Sequence, residues 1–157
     1  MDSTAYCVVS GGFDPLHIGH VYMIDEAAQY GRVIVICNTD EWLLRKKGYV
    51  FMNWLERQTI LNSLENVFYV MSSELDEEVG SNSVCNSLRH VRNVISPKGK
   101  LYFANGGDKT YGNVPEIAAC EECNIEMLWG IGGDCKSQSS SELVERMREN
   151  EQCTKQS

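Results

Sequence analysis

Five short apolar runs alternate with segments whose apolar residues recur at helical spacing, and this alternation limits the possible folds more than any other feature of the sequence. The clearest run is RVIVIC, residues 32–37, a continuous β-branched stretch of the kind found in strands that are covered on both faces. Strands that alternate with helices form parallel sheets wrapped by helices on both sides. We therefore predict an α/β fold, with one domain over residues 1–150 and a five-stranded, mostly parallel sheet.

The same pattern predicts where each element lies. Strands are predicted at Tyr6–Ser10, Arg32–Cys37, Val67–Val70, Lys100–Ala104 and Ile125–Ile131. Helices are predicted from about Ile18 to Tyr30, from Asp40 to about Lys46, at Asn53–Leu64, at residues 81–95, at Pro115–Cys123 and at Ser139–Asn150. The polar segment 151–157 is predicted to be a disordered tail.

Three pairs of glycines lie at or just after the ends of predicted strands. They are Gly11-Gly12 after the first strand, Gly106-Gly107 after the fourth and Gly132-Gly133 after the fifth. Because parallel strands end at the same edge of a sheet, we expect these pairs to lie together, and glycine lets a ligand approach the backbone closely. Ligands of open α/β sheets bind beyond the carboxyl ends of the strands. The glycine pairs therefore locate a predicted ligand pocket.

The charge of the chain and its cysteines limit its partners and its compartment. The net charge is −8, from 22 acidic and 14 basic residues, which disfavours a nucleic-acid surface but allows a small phosphorylated substrate in a local cationic pocket. The sequence has no apolar run long enough for a membrane span and no secretory signal at its start, so we expect no membrane partner. Seven cysteines, several within apolar runs, suit reduced thiols and a cytoplasmic location.

The stretch GGFDPLHIGH, residues 11–20, contains the residues best suited to chemistry. Its glycine pair leaves backbone N–H groups free to face an anion, and Asp14-Pro15 forms a turn before a helix. His17 and His20 stand three residues apart, which points both imidazoles the same way on a first helical turn. A helix start attracts phosphate through its unpaired N–H groups. The stretch thus predicts a phosphate cradle suited to phosphoryl or nucleotidyl transfer, although histidines at this spacing alone could also be metal ligands or a helix cap.

The stretch GGFDPLHIGH resembles the H-x-G-H signature of the nucleotidyltransferase superfamily, especially of its cytidylyltransferase-like members. Three further segments resemble motifs of that family in the same order along the chain. RKKGYVFMNWLERQTIL resembles the segment with a phosphate-binding lysine and a later arginine, FANGGDK resembles the Gly-Asp step beside the nucleotide, and KSQSSSELVERM resembles the Ser/Thr helix start that contacts the triphosphate. The resemblance implies a single Rossmann-like domain with helices on both faces of the sheet.

The resemblance also implies an activity. It is the transfer of CMP or AMP from CTP or ATP to a small phosphorylated sugar or alcohol, with release of pyrophosphate. Mg²⁺ would be carried largely by the substrate's phosphates, with no metal ligands from the protein, and the enzyme would be a cytoplasmic homodimer. Two branches stay open, one resembling glycerol-3-phosphate cytidylyltransferase and the other the heptose-1-phosphate adenylyltransferase domain. A catalytically inactive nucleotide-binding sensor of the same fold is the alternative function.

The residues and the resemblance together predict the members of the site. His17, His20 and Lys47 are the predicted catalytic residues. Nucleotide or phosphate binding is predicted for Gly11, Gly12, Phe13, Asp14, Arg57, Asp108, Lys136, Ser139, Ser140 and Ser141. The sequence departs from the family's pattern at two places: Lys109 stands where glycerol-3-phosphate enzymes have a tryptophan, and the arginine that usually precedes the Ser/Thr motif is absent, with Lys136 as its predicted substitute.

Overall fold

Strands and helices alternate along most of the chain. The computed structural model describes residues 4–95, 99–106, 114–132 and 140–156. In these ranges the strands are β1 (Tyr6–Gly11), β2 (Arg32–Cys37), β3 (Val67–Ser72), β4 (Leu101–Gly106) and β5 (Glu126–Ile131). The helices are α1 (Ile18–Ala27), α2 (Asp40–Lys47), α3 (Trp54–Ser63), α4 (Glu74–Glu77), α5 (Cys85–Val94), α6 (Ile117–Glu122) and α7 (Ser140–Gln156).

The five strands form one parallel sheet with the order β3-β2-β1-β4-β5. The central strand β1 pairs with β2 along its whole length, from Tyr6 opposite Arg32 to Gly11 opposite Cys37. The chain runs outwards from β1 to β3 and then crosses back to β4, so the strand order reverses between β1 and β4. The predicted α/β fold with a parallel, Rossmann-like sheet is confirmed. In such sheets a ligand crevice forms at the reversal, beyond the carboxyl end of β1.

Apolar side chains on the two faces of the sheet form two cores. On one face, Ile24 of α1 and Leu61 of α3 belong to a buried cluster with side chains of β1 and β2. On the other face, Leu88 of α5 and Cys120 of α6 pack with the alternate side chains of the same strands. Because β2 supplies side chains to both clusters, five of its six residues are buried, as its continuous apolar sequence predicts.

Helix α4 was not predicted, and it explains why α5 begins at Cys85 rather than at residue 81. The buried carboxylate of Asp76, in α4, accepts the backbone N–H groups of Asn86 at 2.8 Å and Ser87 at 3.0 Å. Asp76 therefore caps α5 from a different element, ten residues earlier in the chain. Such a cap does not show in a local capping pattern, which places the cap residue immediately before the helix.

Two other helix boundaries differ from the prediction. Helix α1 ends at Ala27 rather than at Tyr30, and α7 continues to Gln156, across polar residues that were predicted to be disordered. Polarity alone does not end a helix, because Glu, Gln, Lys and Arg have high helix propensity. In the residues that the structure describes, no helix combines the length and apolar character needed to cross a bilayer.

Candidate active site

The turn between β1 and α1 brings the two predicted catalytic histidines together. His17 is the N-cap of α1, and its Nδ1 accepts the backbone N–H of Gly19 at 3.1 Å. The Nδ1 of His20 accepts the backbone N–H of His17 at 3.2 Å. The two imidazole rings stack with their centroids 3.8 Å apart and their planes 26° from parallel. The histidines therefore form a reciprocal capping box, a role usually filled by Ser or Thr with Glu or Gln.

The capping contacts determine which ring nitrogen carries the proton. Because each Nδ1 accepts a backbone N–H, each neutral imidazole carries its proton on Nε2. Burial is the main reason that the pKa of His20 is lowered to about 3. Electrostatic repulsion from His17 and Lys47, which disfavours a second positive charge nearby, lowers it further. Burial, then Lys47, also lowers the pKa of His17. In the described ranges neither Nε2–H has a protein acceptor, so the pair can donate two hydrogen bonds to an anion.

Gly12 and Phe13 determine how this turn packs against α2 and His20. A Cβ added at Gly12 would lie 3.1 Å from Cδ2 of Leu43 and 3.3 Å from Cζ3 of Trp42, so glycine allows α2 to pack closely against the end of β1. Phe13 has a φ of 53°, which is rare for a residue with a side chain, and its ring is buried 4.9 Å from the ring of His20. The side chain of Phe13 therefore packs against His20, and its predicted part in nucleotide binding stays a prediction.

Gly11, the last residue of β1, lies beneath the same ring. A Cβ added at Gly11 would meet the Phe13 ring at 3.4 Å, which is ordinary van der Waals contact. Its carbonyl oxygen accepts the N–H of Asn38 at 2.9 Å, so the end of β1 stays in register with the end of β2. Gly11 thus belongs to the sheet edge on which the predicted site stands.

The carboxylate of Asp14 is bound by backbone N–H groups of a distant part of the chain. The residue is fully buried, and its two carboxylate oxygens accept the backbone N–H groups of Phe51 at 2.7 Å and Met52 at 2.5 Å. Both donors come from the connection between α2 and α3. Both oxygens of Asp14 are thus engaged by the chain, and its binding of nucleotide or phosphate stays a prediction.

Arg57, in α3, holds three backbone segments together. Its Nη1 donates to the carbonyl oxygens of Gly12 and Asn38, both at 2.7 Å, and its Nε donates to the carbonyl of Met52 at 3.0 Å. Its Nη2 donates to the carboxylate of Asp40 at 2.7 Å. The side chain of Arg57 is 0% exposed, so it offers no surface to a ligand. Arg57 thus holds the backbone at Gly12 in place, and its contact with phosphate stays a prediction.

Lys47 is the predicted catalytic residue that approaches the histidines from another element. It is the last residue of α2, and Gly48 follows it as a left-handed C-cap with a φ of 81°. Its half-buried ammonium is close enough to lower the pKa of both His17 and His20. Burial lowers the pKa of Lys47 itself. Among the described residues Lys47 has no ion-pair partner, so its charge is available to an anion.

The last predicted motif is only partly described. Ser140 is buried at the start of α7, and its Oγ donates to the carbonyl of Pro15 at 2.7 Å, which ties α7 to the turn after β1. Ser141 is exposed on the first turn of α7. Asp108, Lys136 and Ser139 lie outside the described residues. The structure therefore joins the first and last motifs through Ser140 and Pro15.

Two residues that the sequence reasoning missed lie at the same edge of the sheet. Asp40 is the carboxylate partner of Arg57, and nothing in the local sequence marks that pairing. Asn105, at the end of β4, is 1% exposed, and its Nδ2 donates to the carbonyl of Leu128 at 3.1 Å. Within the described residues its buried Oδ1 has no hydrogen-bond partner. Asn105 could have been found in the sequence, because it is a polar residue at the end of an apolar strand and directly precedes Gly106-Gly107.

Comparison with known proteins places this geometry in a family. Residues 8–146 match the sequence profile of the family described as cytidylyltransferase-like. Bifunctional protein HldE of Aliarcobacter butzleri (strain RM4018) is 30% identical over 147 residues, which cover 92% of this chain and 27% of that protein. Glycerol-3-phosphate cytidylyltransferase of Bacillus subtilis (strain 168) is 33% identical over 61 residues, which cover 38% of this chain and 47% of that protein. The chain thus spans less than a third of the HldE proteins that it matches.

Two crystal structures share the fold. One is the lipopolysaccharide core biosynthesis protein from Thermoplasma volcanium GSS1, with a TM-score of 0.58, 16% identity, and coverage of 80% of this chain and 94% of that chain. The other, from Vibrio parahaemolyticus, is described as a candidate nicotinate-nucleotide adenylyltransferase, with a TM-score of 0.64, 14% identity, and coverage of 94% of this chain and 88% of that chain. At these identities the likeness concerns the fold alone. Because the profile match extends over residues 8–146 and includes both histidines, the chain belongs to the cytidylyltransferase-like family.

Proposed function

We propose that the protein transfers CMP or AMP from a nucleoside triphosphate to a small phosphorylated sugar or alcohol and releases pyrophosphate. The observation that carries this proposal is the state of the two stacked imidazoles. Both Nδ1 atoms are occupied by backbone N–H groups, so His17 and His20 present neutral Nε2–H donors at the start of α1. Membership of the cytidylyltransferase-like family supports the same class of reaction.

The proposed reaction is an in-line displacement at the α-phosphorus. An oxygen of the acceptor's phosphate attacks that phosphorus, a new P–O bond forms, and the bond to the bridging oxygen breaks. Pyrophosphate leaves with the bonding electrons, so negative charge grows on its oxygens. His17 and His20 would donate hydrogen bonds to the phosphate oxygens, and the ammonium of Lys47 would compensate the charge. No covalent intermediate on the protein is required.

The chemical groups of the site indicate whether the protein itself could bind the proposed Mg²⁺. The described residues of the site offer imidazole N–H groups and one ammonium, whereas the oxygens of Asp14 are engaged by backbone N–H groups. These residues do not make a carboxylate cage of the kind that binds Mg²⁺. We therefore propose that Mg²⁺ arrives on the phosphates of the substrate, and we assign no protein ligand to it.

The assembly and location of the protein belong to the same proposal. We propose that it acts as a homodimer in the cytoplasm, as the family resemblance implies. Cys7, Cys37, Cys85, Cys120 and Cys123 are free thiols, which is the state that a reducing compartment maintains. Sedimentation velocity of the full chain tests the dimer directly, because a monomer of 17.7 kDa and its dimer are well separated.

A test of the activity combines the four nucleoside triphosphates with a panel of sugar and polyol phosphates in the presence of Mg²⁺. Pyrophosphate release is measured for each combination, and nucleotide binding is measured in parallel by calorimetry. We expect release with CTP or ATP and at least one acceptor. Binding of nucleotide with no release for any acceptor in the panel would favour the alternative, a nucleotide-binding sensor.

His20→Ala tests the role of the imidazole pair. Removing one hydrogen-bond donor to developing charge typically costs about 10²-fold in turnover, and we expect that loss here. His90→Ala is the matched control, because His90 is an exposed residue on α5. Near-normal turnover in folded His20→Ala protein, or an equal loss in His90→Ala, would contradict the proposed role.

A further inference from the structure

The buried carboxylate of Asp14 connects the turn after β1 to a part of the chain almost forty residues away. It accepts the N–H of Phe51 at 2.7 Å, over a separation of 37 residues, and the N–H of Met52 at 2.5 Å. Asp14 is 0% exposed, so the acceptor side of these two part-buried hydrogen bonds is shielded from water. Hydrogen bonds to a charged acceptor are stronger than those between neutral groups, particularly where water is excluded.

The segment that Asp14 holds is the loop 48–53, which connects α2 to α3. The loop begins at Gly48, whose positive φ of 81° and open surroundings suit a pivot. It ends at Asn53, whose side chain caps α3. Lys47, the last residue of α2, immediately precedes this pivot. Asp14 supplies two hydrogen bonds to the middle of that loop.

Other contacts place the loop in the same frame. Arg57 donates to the carbonyl of Met52 at 3.0 Å, while it also holds the carbonyl of Gly12. The guanidinium of Arg148, on α7, lies 5.3 Å from the ring centroid of Tyr49 in the loop. The loop is therefore held on one side by the β1–α1 turn and α3, and it is in contact with α7 on another.

Charge links Asp14 to Lys47 without an ion pair between them. The negative charge of Asp14 raises the pKa of Lys47, whereas burial and Arg57 lower it, burial more strongly. Both oxygens of Asp14 are engaged by backbone N–H groups. The carboxylate therefore attracts the ammonium from a fixed position and leaves its three N–H donors available to phosphate.

We propose that Asp14 is a positioning residue that fastens the loop 48–53 to the β1–α1 turn and so holds Lys47 beside His17 and His20 for triphosphate binding. Asp14 itself does not touch the nucleotide. This inference rests on the proposed function, because it assigns Lys47 to the triphosphate. Asp14, although buried, would thus determine where Lys47 lies in the site.

Asp14→Asn tests the proposal, because asparagine keeps the size of the side chain but loses the charge and one acceptor oxygen. Asp76→Asn is the matched control: Asp76 is also a buried carboxylate that accepts two backbone N–H groups, at the start of α5 and away from the loop 48–53. The first measurement is the rate of tryptic cleavage after residues 45–47 in the native protein. We expect cleavage about tenfold faster in Asp14→Asn and unchanged in Asp76→Asn.

The second measurement is the binding of ATP and of CTP by calorimetry, in a double-mutant cycle with Lys47→Ala. We expect Asp14→Asn to weaken triphosphate binding about tenfold and to add little in the Lys47→Ala background, because Asp14 acts through Lys47. Asp76→Asn should leave binding unchanged in both backgrounds. Additive losses for Asp14→Asn and Lys47→Ala, or unchanged cleavage after residues 45–47, would overturn the proposal.

Two other outcomes can be distinguished: a variant that does not fold, and a protein that binds no triphosphate. If Asp14→Asn does not fold, Phe51→Pro removes one of the two N–H donors from the loop side, and the same cleavage and binding results are expected. If the unaltered protein binds neither ATP nor CTP, the proposed function fails, while the cleavage rates still decide whether Asp14 fastens the loop.

Discussion

Replacing Arg57 with methionine should remove a large part of the protein's stability. The side chain of Arg57 is 0% exposed and donates to the carbonyls of Gly12, Asn38 and Met52 as well as to the carboxylate of Asp40. Methionine fills a similar length but leaves these acceptors without a donor. The carboxylate of Asp40 stays 36% exposed and can turn to water, so the main cost comes from the carbonyls that lose their donor. One buried acceptor left without a donor typically costs about 1–3 kcal/mol, and we expect the free energy of unfolding to fall by at least that much.

Urea titration followed by tryptophan fluorescence measures this loss, since a small domain unfolds cooperatively. Arg89→Met is the matched control, because Arg89 forms an ion pair with Glu122 in which the side chains are 44% and 64% exposed. That exposed pair should leave the free energy of unfolding nearly unchanged. The reasoning is refuted if Arg57→Met loses less than about 1 kcal/mol, the value typical of a surface pair, or no more than Arg89→Met.

Two other predictions concern His20 and Lys47. The pKa of His20 is lowered to about 3, whereas an unfolded histidine titrates near 6.5, so the unfolded chain binds the extra proton between these values and stability falls as the pH drops through that range. His20→Gln should make this fall shallower, which thermal unfolding at a series of pH values between 4 and 8 would show as a smaller decrease of Tm. An equal decrease in both proteins argues against a part-buried imidazole that stays neutral. Lys47→Ala should raise the KM for the triphosphate by about tenfold and leave the KM for the acceptor nearly unchanged, because an ammonium that meets the triphosphate contributes about that much to binding. Steady-state kinetics with each substrate varied in turn decides this, and equal changes in both KM values would count against the assignment.

The fold could be predicted because its cores follow directly from apolar periodicity. The run of β2 is apolar almost throughout since its side chains enter both cores, and α5 places Leu88 and Val91 on one face. Helix α4 could not be predicted in the same way, because it has four residues and its main contribution is a cap given by Asp76 to another helix. Periodicity detects long buried faces, and it does not detect contacts of single side chains between elements.

The candidate site shows the same division. The spacing of His17 and His20 predicted that the two imidazoles lie together, because positions three apart in a first helical turn point the same way. The places of Asp14 and Arg57 could not be predicted. Asp14 bonds to the N–H of Phe51, 37 residues away, and Arg57 bonds to the carbonyl of Gly12, 45 residues away. Whether a charged side chain meets a ligand or the backbone depends on such distant partners.

The most direct test of the account is the protonation state of the imidazoles, measured by ¹⁵N–¹H NMR of histidine-labelled protein with and without CTP or ATP. The chain has three histidines, so His90 on α5 provides an internal reference. We expect His17 and His20 to be neutral at pH 7 with the proton on Nε2, and we expect triphosphate to shift both Nε2–H signals while those of His90 stay in place. Signals of a charged imidazole, or of a proton on Nδ1, for either residue would contradict it, as would triphosphate binding that leaves both Nε2–H signals unmoved.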